Sequence, residues 1–328
     1  MNKQEVLLEI TNTQKYYVNE LIKIITKKNK TYEELKEINF TSPIGTGKTV
    51  MMAMLMNELP NYFFVVTTLS KGQLKKQVAD SLKKRVNVSN FLLYGTNDFT
   101  KNTIRQGEDF EKELPNNKKI IWIRDEGHIA TNRWQEILRS KAETIINFSA
   151  TNLVHSGIQC NFTHTMMLRT VTQKSGTIQD AIEMLKIVKA NHSTVKNYNP
   201  CALFRIMDDD FAKEAEKYCV SQNLKTINIT DESFDMATLC EDNNEYDVII
   251  NKFKITEGID LKRCHVIYMD NKPTNESTVV QIIGRSRRNA LLWRNDIDIF
   301  LPENEELLKN TRRSYIFYNI PETIIEQD

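Results

Sequence analysis

The chain has 328 residues, of which 40% are hydrophobic and 27% charged, so it has the composition of globular domains rather than of a disordered chain. Its 44 Lys and Arg residues nearly cancel its 43 Asp and Glu residues, and the net charge of +1 gives no overall electrostatic signal for nucleic acid. The length predicts two domains, and no apolar run is long enough to span a membrane.

In chain order, short β-rich runs alternate with amphipathic helical segments. Strands are predicted at residues 38–41, 62–67, 91–94, 120–123 and 145–148, with helices at 48–59 and 72–85. The alternation resumes with strands at 202–206, 226–229, 247–250, 265–269 and 297–301, and with helices at 211–223 and 277–288. We therefore predict an α/β fold of two domains, residues 1–155 and 156–328, each a mostly parallel sheet flanked by helices.

The cysteines and the first residues bear on the compartment. The five cysteines form no C-x-x-C pair and are odd in number, so neither a zinc ribbon nor a disulfide framework is predicted. The run MNKQE lacks the basic-then-apolar pattern of a signal peptide. We expect a reducing, cytoplasmic environment.

The strongest local signal is the run 42–49, S-P-I-G-T-G-K-T, between a predicted strand and a predicted helix. Glycines in such a loop let backbone N–H groups point at phosphate oxygens, the lysine reaches the β- and γ-phosphates, and the last hydroxyl can ligate Mg²⁺. The general pattern has Gly where Ser42 stands. The residues predicted to contact ATP here are Gly45, Thr46, Gly47, Lys48 and Thr49.

A pair of acids follows the apolar run 120–123, in the order Asp125-Glu126-Gly127-His128. Acidic turns are common on protein surfaces, so the prediction depends on their position about 80 residues after the phosphate-binding loop. In that context Asp125 is expected to hold Mg²⁺, and Glu126 to orient and deprotonate the attacking water. His128 is expected to couple this site to the second domain.

A basic cluster occupies the predicted helix 277–288, where the sequence is Q-I-I-G-R-S-R-R from Gln281 onwards. A surface helix is one interpretation. The other is an arginine finger, because a planar guanidinium neutralises the charge that builds on a transferred phosphoryl group better than an ammonium does. Arg285 and Arg288 are three residues apart, and we expect them on roughly the same helix face.

In this order, the three motifs resemble motifs I, II and VI of superfamily 2 helicases with a DExH box. Weaker resemblances follow at Gln14 (the segment that recognises adenine), Thr67 (motif Ia), Ser149-Ala150-Thr151 (motif III), Arg205 (motif IV) and the run T-E-G-I-D at 256–260 (motif V). The resemblance covers about residues 10–300. It is closest to the motor subunits of type III restriction enzymes. A DEAD-box RNA helicase would carry Ala-Asp in place of Gly127-His128.

The resemblance implies two RecA-like domains with ATP and Mg²⁺ in the cleft between them, and catalytic roles for Lys48, Asp125, Glu126, Gln281, Arg285 and Arg288. It implies coupling roles for His128, Ser149 and Thr151, nucleotide contacts for Gln14, Gly258 and Asp260, and nucleic-acid contacts for Thr67, Arg205 and Thr256. Phosphate contacts of this kind give little sequence specificity.

The resemblance thus predicts an ATP-dependent helicase or translocase that moves along DNA more readily than RNA. It also allows a motor subunit of a restriction, repair or replication complex, whose partner chain carries a nuclease, methyltransferase or recognition role. Three alternatives stay open: an ATP-gated clamp or switch that does not travel, an RNA helicase, and a scaffold with a degenerate ATPase. The intact acids, lysine and arginines argue against the last.

Overall fold

The computed structural model describes residues 2–27, 36–68, 74–95, 112–126, 133–150, 157–163, 168–230, 236–252, 261–271, 273 and 276–319. Contacts divide the chain into two compact units, one of residues Leu7–Thr165 and the other of Met166–Asp328 together with Met1–Val6. None of the described helices is long and apolar enough to cross a membrane.

The first domain is built on a parallel sheet of strand order β3-β2-β4-β5-β1-β6. Its strands are β1 (Glu37–Thr41), β2 (Phe63–Thr68), β3 (Phe91–Gly95), β4 (Ile120–Asp125), β5 (Thr144–Ser149) and β6 (Ile158–Asn161). Its helices are α1 (Lys3–Thr26), α2 (Lys48–Glu58), α3 (Leu74–Lys83) and α4 (Arg133–Lys141).

Both faces of this sheet are covered by apolar side chains. Helices α1 and α2 bury Leu21 and Leu55 against Phe40 of β1 on one face. On the other face, Leu138 of α4 packs with Trp122 of β4, whose side chain is completely buried. Burying a large apolar side chain stabilises a fold by roughly 1.5–3 kcal/mol, so these layers hold the carboxyl ends of the strands in fixed positions.

The second domain also has an all-parallel sheet, of strand order β7-β12-β11-β8-β10-β9. Its strands are β7 (Thr170–Ser175), β8 (Cys201–Arg205), β9 (Thr226–Asn228), β10 (Val248–Asn251), β11 (Cys264–Met269) and β12 (Arg313–Tyr318). Its helices are α5 (Ile178–Asn191), α6 (Asp209–Ser221), α7 (Met236–Leu239), α8 (Glu276–Ser286) and α9 (Glu305–Thr311), with short 3-10 turns at Leu291–Trp293 and Pro302–Asn304.

Local sequence signals explain where the first helices of this domain begin. Thr177 and Asp180 form a reciprocal capping box at the start of α5. Asp208 caps α6, since its carboxylate accepts a hydrogen bond from the N–H of Phe211. Side-chain oxygens at these positions satisfy N–H groups that a helix leaves without partners, which favours helix initiation there.

The predicted class of fold, two parallel sheets flanked by helices, is confirmed, but one predicted strand is wrong. Residues 297–301 form turns, because the Asp298 carboxylate accepts the N–H of Phe300 and the Asn304 amide donates to the Asp298 carbonyl. Such side-chain hydrogen bonds compete with strand pairing.

The division between the domains also differs from the expected one. Residues 156–163 were assigned to the second domain, yet β6 pairs with β1 of the first sheet along Ile38–Thr41. The boundary between the two units accordingly falls between Thr165 and Met166, ten residues beyond the expected position.

Candidate functional site

The predicted phosphate-binding loop connects β1 to α2 at the carboxyl edge of the first sheet. Gly45 and Gly47 have φ values of 91° and 84°, in the left-handed region that glycine adopts without strain. The Thr46 hydroxyl closes the loop by donating to the Pro43 carbonyl at 2.8 Å. The loop therefore leads directly to the amino end of α2, where unsatisfied N–H groups and the helix dipole favour an anion.

Gln14 of α1 holds this loop through a hydrogen bond to the loop backbone. Its amide nitrogen Nε2 donates to the Thr46 carbonyl at 2.9 Å, and the side chain is only 5% exposed. A Cβ atom added to Gly47 would lie 2.4 Å from the same nitrogen, so the Gln14 amide would have to shift, and the φ of 84° itself favours glycine. The expected contact of Gln14 with adenine stays a prediction; the observed contact is with the loop backbone.

The two acids stand at the same edge of the sheet. Asp125 ends β4, and its Oδ2 accepts a hydrogen bond from the Thr68 hydroxyl at the end of β2, at 3.0 Å. Glu126 follows with a φ of 57°, a left-handed conformation uncommon outside glycine and often found where a site constrains the backbone. Thr68 was not predicted as a site residue, although it stands in the motif Ia segment.

The electrostatic environment of Asp125 is set by desolvation and by its neighbours. Part of its surface is still exposed, but the protein atoms around the carboxylate displace most of its water. This burial, followed by the charge of Glu126, raises the pKa of Asp125 to about 6, against the opposing effects of Lys48 and the Thr68 hydroxyl. Lys48 and the two acids are thus close enough to interact electrostatically.

The phosphate-binding loop and strand β5 are joined through their backbones. The Ser42 N–H donates to the carbonyl of Ser149, the last residue of β5, at 2.9 Å. Strand β5 lies between β1 and β4, so this residue links the loop to the strand beside the acids. Ser149 therefore occupies a place suited to its predicted coupling role, which stays a prediction.

The residues present fit the expected ligands. The Ser42 hydroxyl oxygen is buried and has no hydrogen-bond partner among the described residues, so a polar ligand at the loop would satisfy it. A carboxylate whose pKa is raised by burial and by a second acid is stabilised by a cation, and hard oxygen ligands suit Mg²⁺. Asp125 and Thr49, the latter in the first turn of α2, would hold it.

In the second domain, the predicted arginines lie around the carboxyl end of α8. Gln281 and Arg285 are in the helix, and Arg285 is 6% exposed. The helix ends at Ser286, so the expectation that Arg285 and Arg288 share one helix face is wrong. Arg288 instead forms an isolated antiparallel bridge with Leu168. Arg285 is thus held by the helix and Arg288 by the bridge.

Two residues predicted to contact nucleic acid, Thr67 and Arg205, have buried side chains, and their contacts stay predictions. The Thr67 hydroxyl accepts a hydrogen bond from the Trp122 indole at 2.9 Å, and Thr67 is 3% exposed, so its side chain serves the core of the first domain. Arg205 ends β8, is 8% exposed, and donates to the Asn271 side chain at 3.2 Å. Neither side chain stands on the surface as an open phosphate contact.

The remaining predicted residues lie outside the part of the chain that the structure describes. They are His128 of the acid motif, Thr151 of motif III, and Thr256, Gly258 and Asp260 of motif V.

Comparisons with known proteins agree with this architecture. The family model described as "Type III restriction enzyme, res subunit" matches residues 7–153. No curated protein matched the sequence.

Among solved structures, S. cerevisiae Dbp5 bound to RNA and ADP BeF3 is 12% identical over 97% of this chain and 88% of that chain, with a TM-score of 0.56. A leucine-to-valine variant of Dbp5 in the same complex is 11% identical with equal coverage and a TM-score of 0.55. A Dbp5 variant bound to Gle1 and IP6 is 12% identical over 88% of this chain and 79% of that chain, with a TM-score of 0.56. The chain therefore shares the fold of these Dbp5 structures, two RecA-like α/β domains that are each a parallel sheet flanked by helices.

Proposed function

We propose that this chain is an ATPase stimulated by nucleic acid that uses ATP hydrolysis to move along a strand. One observation carries the proposal: the phosphate-binding loop after β1 and the acid pair after β4 meet at the carboxyl edge of one parallel sheet. Ligands of open α/β sheets bind at this edge. The match of residues 7–153 to the restriction-enzyme model supports the same reading of the first domain.

In this proposal each side chain of the first domain has a defined task. The loop N–H groups and Lys48 bind the phosphates of ATP, while Gln14 keeps the loop in its binding shape. Mg²⁺, when bound, neutralises charge on the phosphates. Asp125 presents its carboxylate to the metal, oriented by the Thr68 hydroxyl, and Glu126 takes a proton from the attacking water.

The second domain contributes positive charge to the transition state. Phosphoryl transfer spreads negative charge over the equatorial oxygens, and a positioned arginine is worth about 10³–10⁵ in rate in related enzymes. Arg285 and Arg288 are the candidates in this chain, with Gln281 one turn before Arg285 on the same helix. Coupling to the strand would run through Ser149, Thr151 and His128.

We propose DNA as the preferred strand, because the family model that matches the first domain describes a restriction-enzyme subunit. RNA is the alternative, favoured by the Dbp5 structures, which are bound to RNA. The chain would act in the cytoplasm with a partner protein that supplies nuclease, methyltransferase or recognition activity. A clamp that grips without moving is the second candidate function, since the same site would serve it.

Nucleotide binding tests the site directly. Calorimetry with Mg²⁺ and a slowly hydrolysed ATP analogue should show one site, lost in Lys48→Ala and kept in Lys83→Ala, an exposed lysine of the same domain. Equal affinity in the two variants would refute the assignment of the loop. ATP-dependent displacement of streptavidin from the biotinylated end of single-stranded DNA then separates the two candidate functions, because a stationary clamp leaves the streptavidin in place.

A further inference from the structure

Arg169 is a fully buried arginine at the start of the second domain, 1% exposed. Its guanidinium makes five hydrogen bonds of 2.7–3.2 Å, to the carbonyl oxygens of Lys262, Cys264, Ser286 and Thr311 and to the hydroxyl of Tyr198. A guanidinium has five N–H donors, so this side chain uses its full capacity. None of the five acceptors is a carboxylate, which means that the charge is held by oriented dipoles.

Two of the segments that Arg169 joins belong to the predicted catalytic part of the domain. Ser286 is the last residue of α8 and stands between Arg285 and Arg288. The N–H of Arg169 also donates to the Arg287 carbonyl at 2.7 Å, and Leu168 bridges to Arg288. Lys262, just before β11, and Cys264, its first residue, accept two further bonds and follow the predicted motif V run 256–260.

These contacts satisfy carbonyl groups at the carboxyl end of α8. The last carbonyl groups of an α-helix have no partner within the helix and carry partial negative charge. At the end of α8, the Ile283 carbonyl accepts the Ser286 hydroxyl at 3.0 Å, and the Ser286 carbonyl accepts the Arg169 guanidinium at 3.2 Å. A buried cation at this place caps the helix and favours one backbone path out of it.

We propose that Arg169 is a positioning residue for the arginines of motif VI, a role that rests on the proposed function of Arg285 and Arg288. An arginine that neutralises a transition state must be held closely, since a misplacement of about 1 Å can cost about 100-fold in rate. Arg169 fixes the residues on both sides of Ser286 and ties them to the segment after motif V. It acts through these residues and does not touch the substrate.

Arg263 provides a matched control. It is 0% exposed and lies in the same domain, and its guanidinium also donates to backbone carbonyls, those of Asn199, Leu239 and Tyr246. Among the described residues, its side-chain hydrogen bonds do not involve α8 or residues 286–288. Arg263→Lys therefore removes a buried arginine fork of the same chemistry without touching the motif VI segment.

The test compares Arg169→Lys with Arg263→Lys in steady-state ATP hydrolysis, per folded molecule counted by ATP binding. Lysine keeps the charge but offers fewer donors without a planar fork. We expect Arg169→Lys to lower kcat by about 10–100-fold with the KM for ATP changed less than about twofold, and Arg263→Lys to leave kcat within about twofold. In a double-mutant cycle with Arg285→Lys, kcat of the double variant should be little lower than kcat of Arg285→Lys alone.

Equal kcat in Arg169→Lys and Arg263→Lys, or additive losses in the cycle, would overturn the proposal. If the wild-type chain hydrolyses no ATP, the proposed function fails, and amide hydrogen exchange then decides on Arg169 separately. Faster exchange at residues 283–289 in Arg169→Lys, absent in Arg263→Lys, supports the positioning role. Unchanged exchange there refutes it.

Discussion

Replacing Asp125 by Asn measures how much the buried negative charge of Asp125 destabilises the nucleotide-free protein. The amide is nearly isosteric, and its oxygen can still accept the hydrogen bond of the Thr68 hydroxyl. It removes the negative charge that lies beside Glu126. We expect Asp125→Asn to stabilise the nucleotide-free protein at neutral pH while abolishing Mg²⁺-dependent ATP binding.

The size of the effect follows from the pKa. Burial and the Glu126 charge raise the pKa of Asp125 from 3.8 to about 6, a difference worth at most about 3 kcal/mol in the free energy of unfolding. Because the residue is partly exposed, solvent screening reduces this to about 1–2 kcal/mol. The raised pKa means that stability is full below the unfolded-state pKa near 4 and is lost as the pH rises through about 6.

The assay is urea unfolding of wild type and Asp125→Asn between about pH 4 and pH 8, without nucleotide or metal. The stability advantage of the variant should grow from about pH 4 to about pH 6 and then stay constant. A difference that does not change with pH, or one that shrinks as the pH rises, would refute the reasoning.

Glu37→Gln serves as a control in the same domain, because the pKa of Glu37 is lowered whereas that of Asp125 is raised. Burial alone would raise the pKa of Glu37, but hydrogen bonds from Arg139 and Asn147, with the charges of Arg139 and Arg124, hold it below its ordinary value. Its ionised form therefore stabilises the fold above the unfolded-state pKa, and this contribution disappears as the pH falls through the folded-state pKa. Glu37→Gln should be destabilising at neutral pH and less so in acid.

Three further predictions concern the geometry around the site. Gly47→Ala places a Cβ 2.4 Å from Gln14 Nε2 at a φ of 84°. We expect the free energy of urea unfolding to fall by about 1–2 kcal/mol and ATP binding to weaken. Adding Gln14→Ala should relieve these effects only in part, because the left-handed φ remains. Gly157→Ala at a φ of 126° sets a Cβ 2.4 Å from the Glu37 carbonyl, so it should cost about 1–3 kcal/mol while the folded molecules bind ATP normally; unchanged stability would contradict this. Thr68→Val removes the donor to Asp125 and should move the pH midpoint of Mg²⁺-dependent ATP binding upward, whereas an unchanged midpoint would mean that the Thr68 hydroxyl does not set this pKa.

The sequence predicts the fold well where strands are buried on both faces. The apolar runs that became β2, β4, β5, β10 and β11 are continuous and hydrophobic, as in parallel sheets covered by helices. Two of the four edge strands, β6 and β7, escape this signal: half-buried residues alternate with exposed ones in β6, and β7 is mostly polar and exposed, because these strands meet solvent. The position of the domain boundary depends on β6 and was displaced for that reason.

The candidate site shows the same division between local and long-range information. The phosphate-binding loop and the acids are recognisable because each motif is contiguous and follows a strand. The burial of Thr67 depends on an indole from another strand, 55 residues away, and no spacing rule indicates it. The role of Arg169 also cannot be predicted from the sequence, because most of its hydrogen-bond acceptors are backbone carbonyls, which every residue type has.

The most direct measurement of the central claim is steady-state ATP hydrolysis by the purified chain, alone and with single-stranded DNA, duplex DNA or RNA. Glu126→Gln is the test variant, and Glu58→Gln, an exposed acid at the end of α2, is its matched control. We predict strong stimulation by single-stranded DNA that is lost in Glu126→Gln and kept in Glu58→Gln. Hydrolysis that no nucleic acid stimulates, or that survives in Glu126→Gln, would contradict the account.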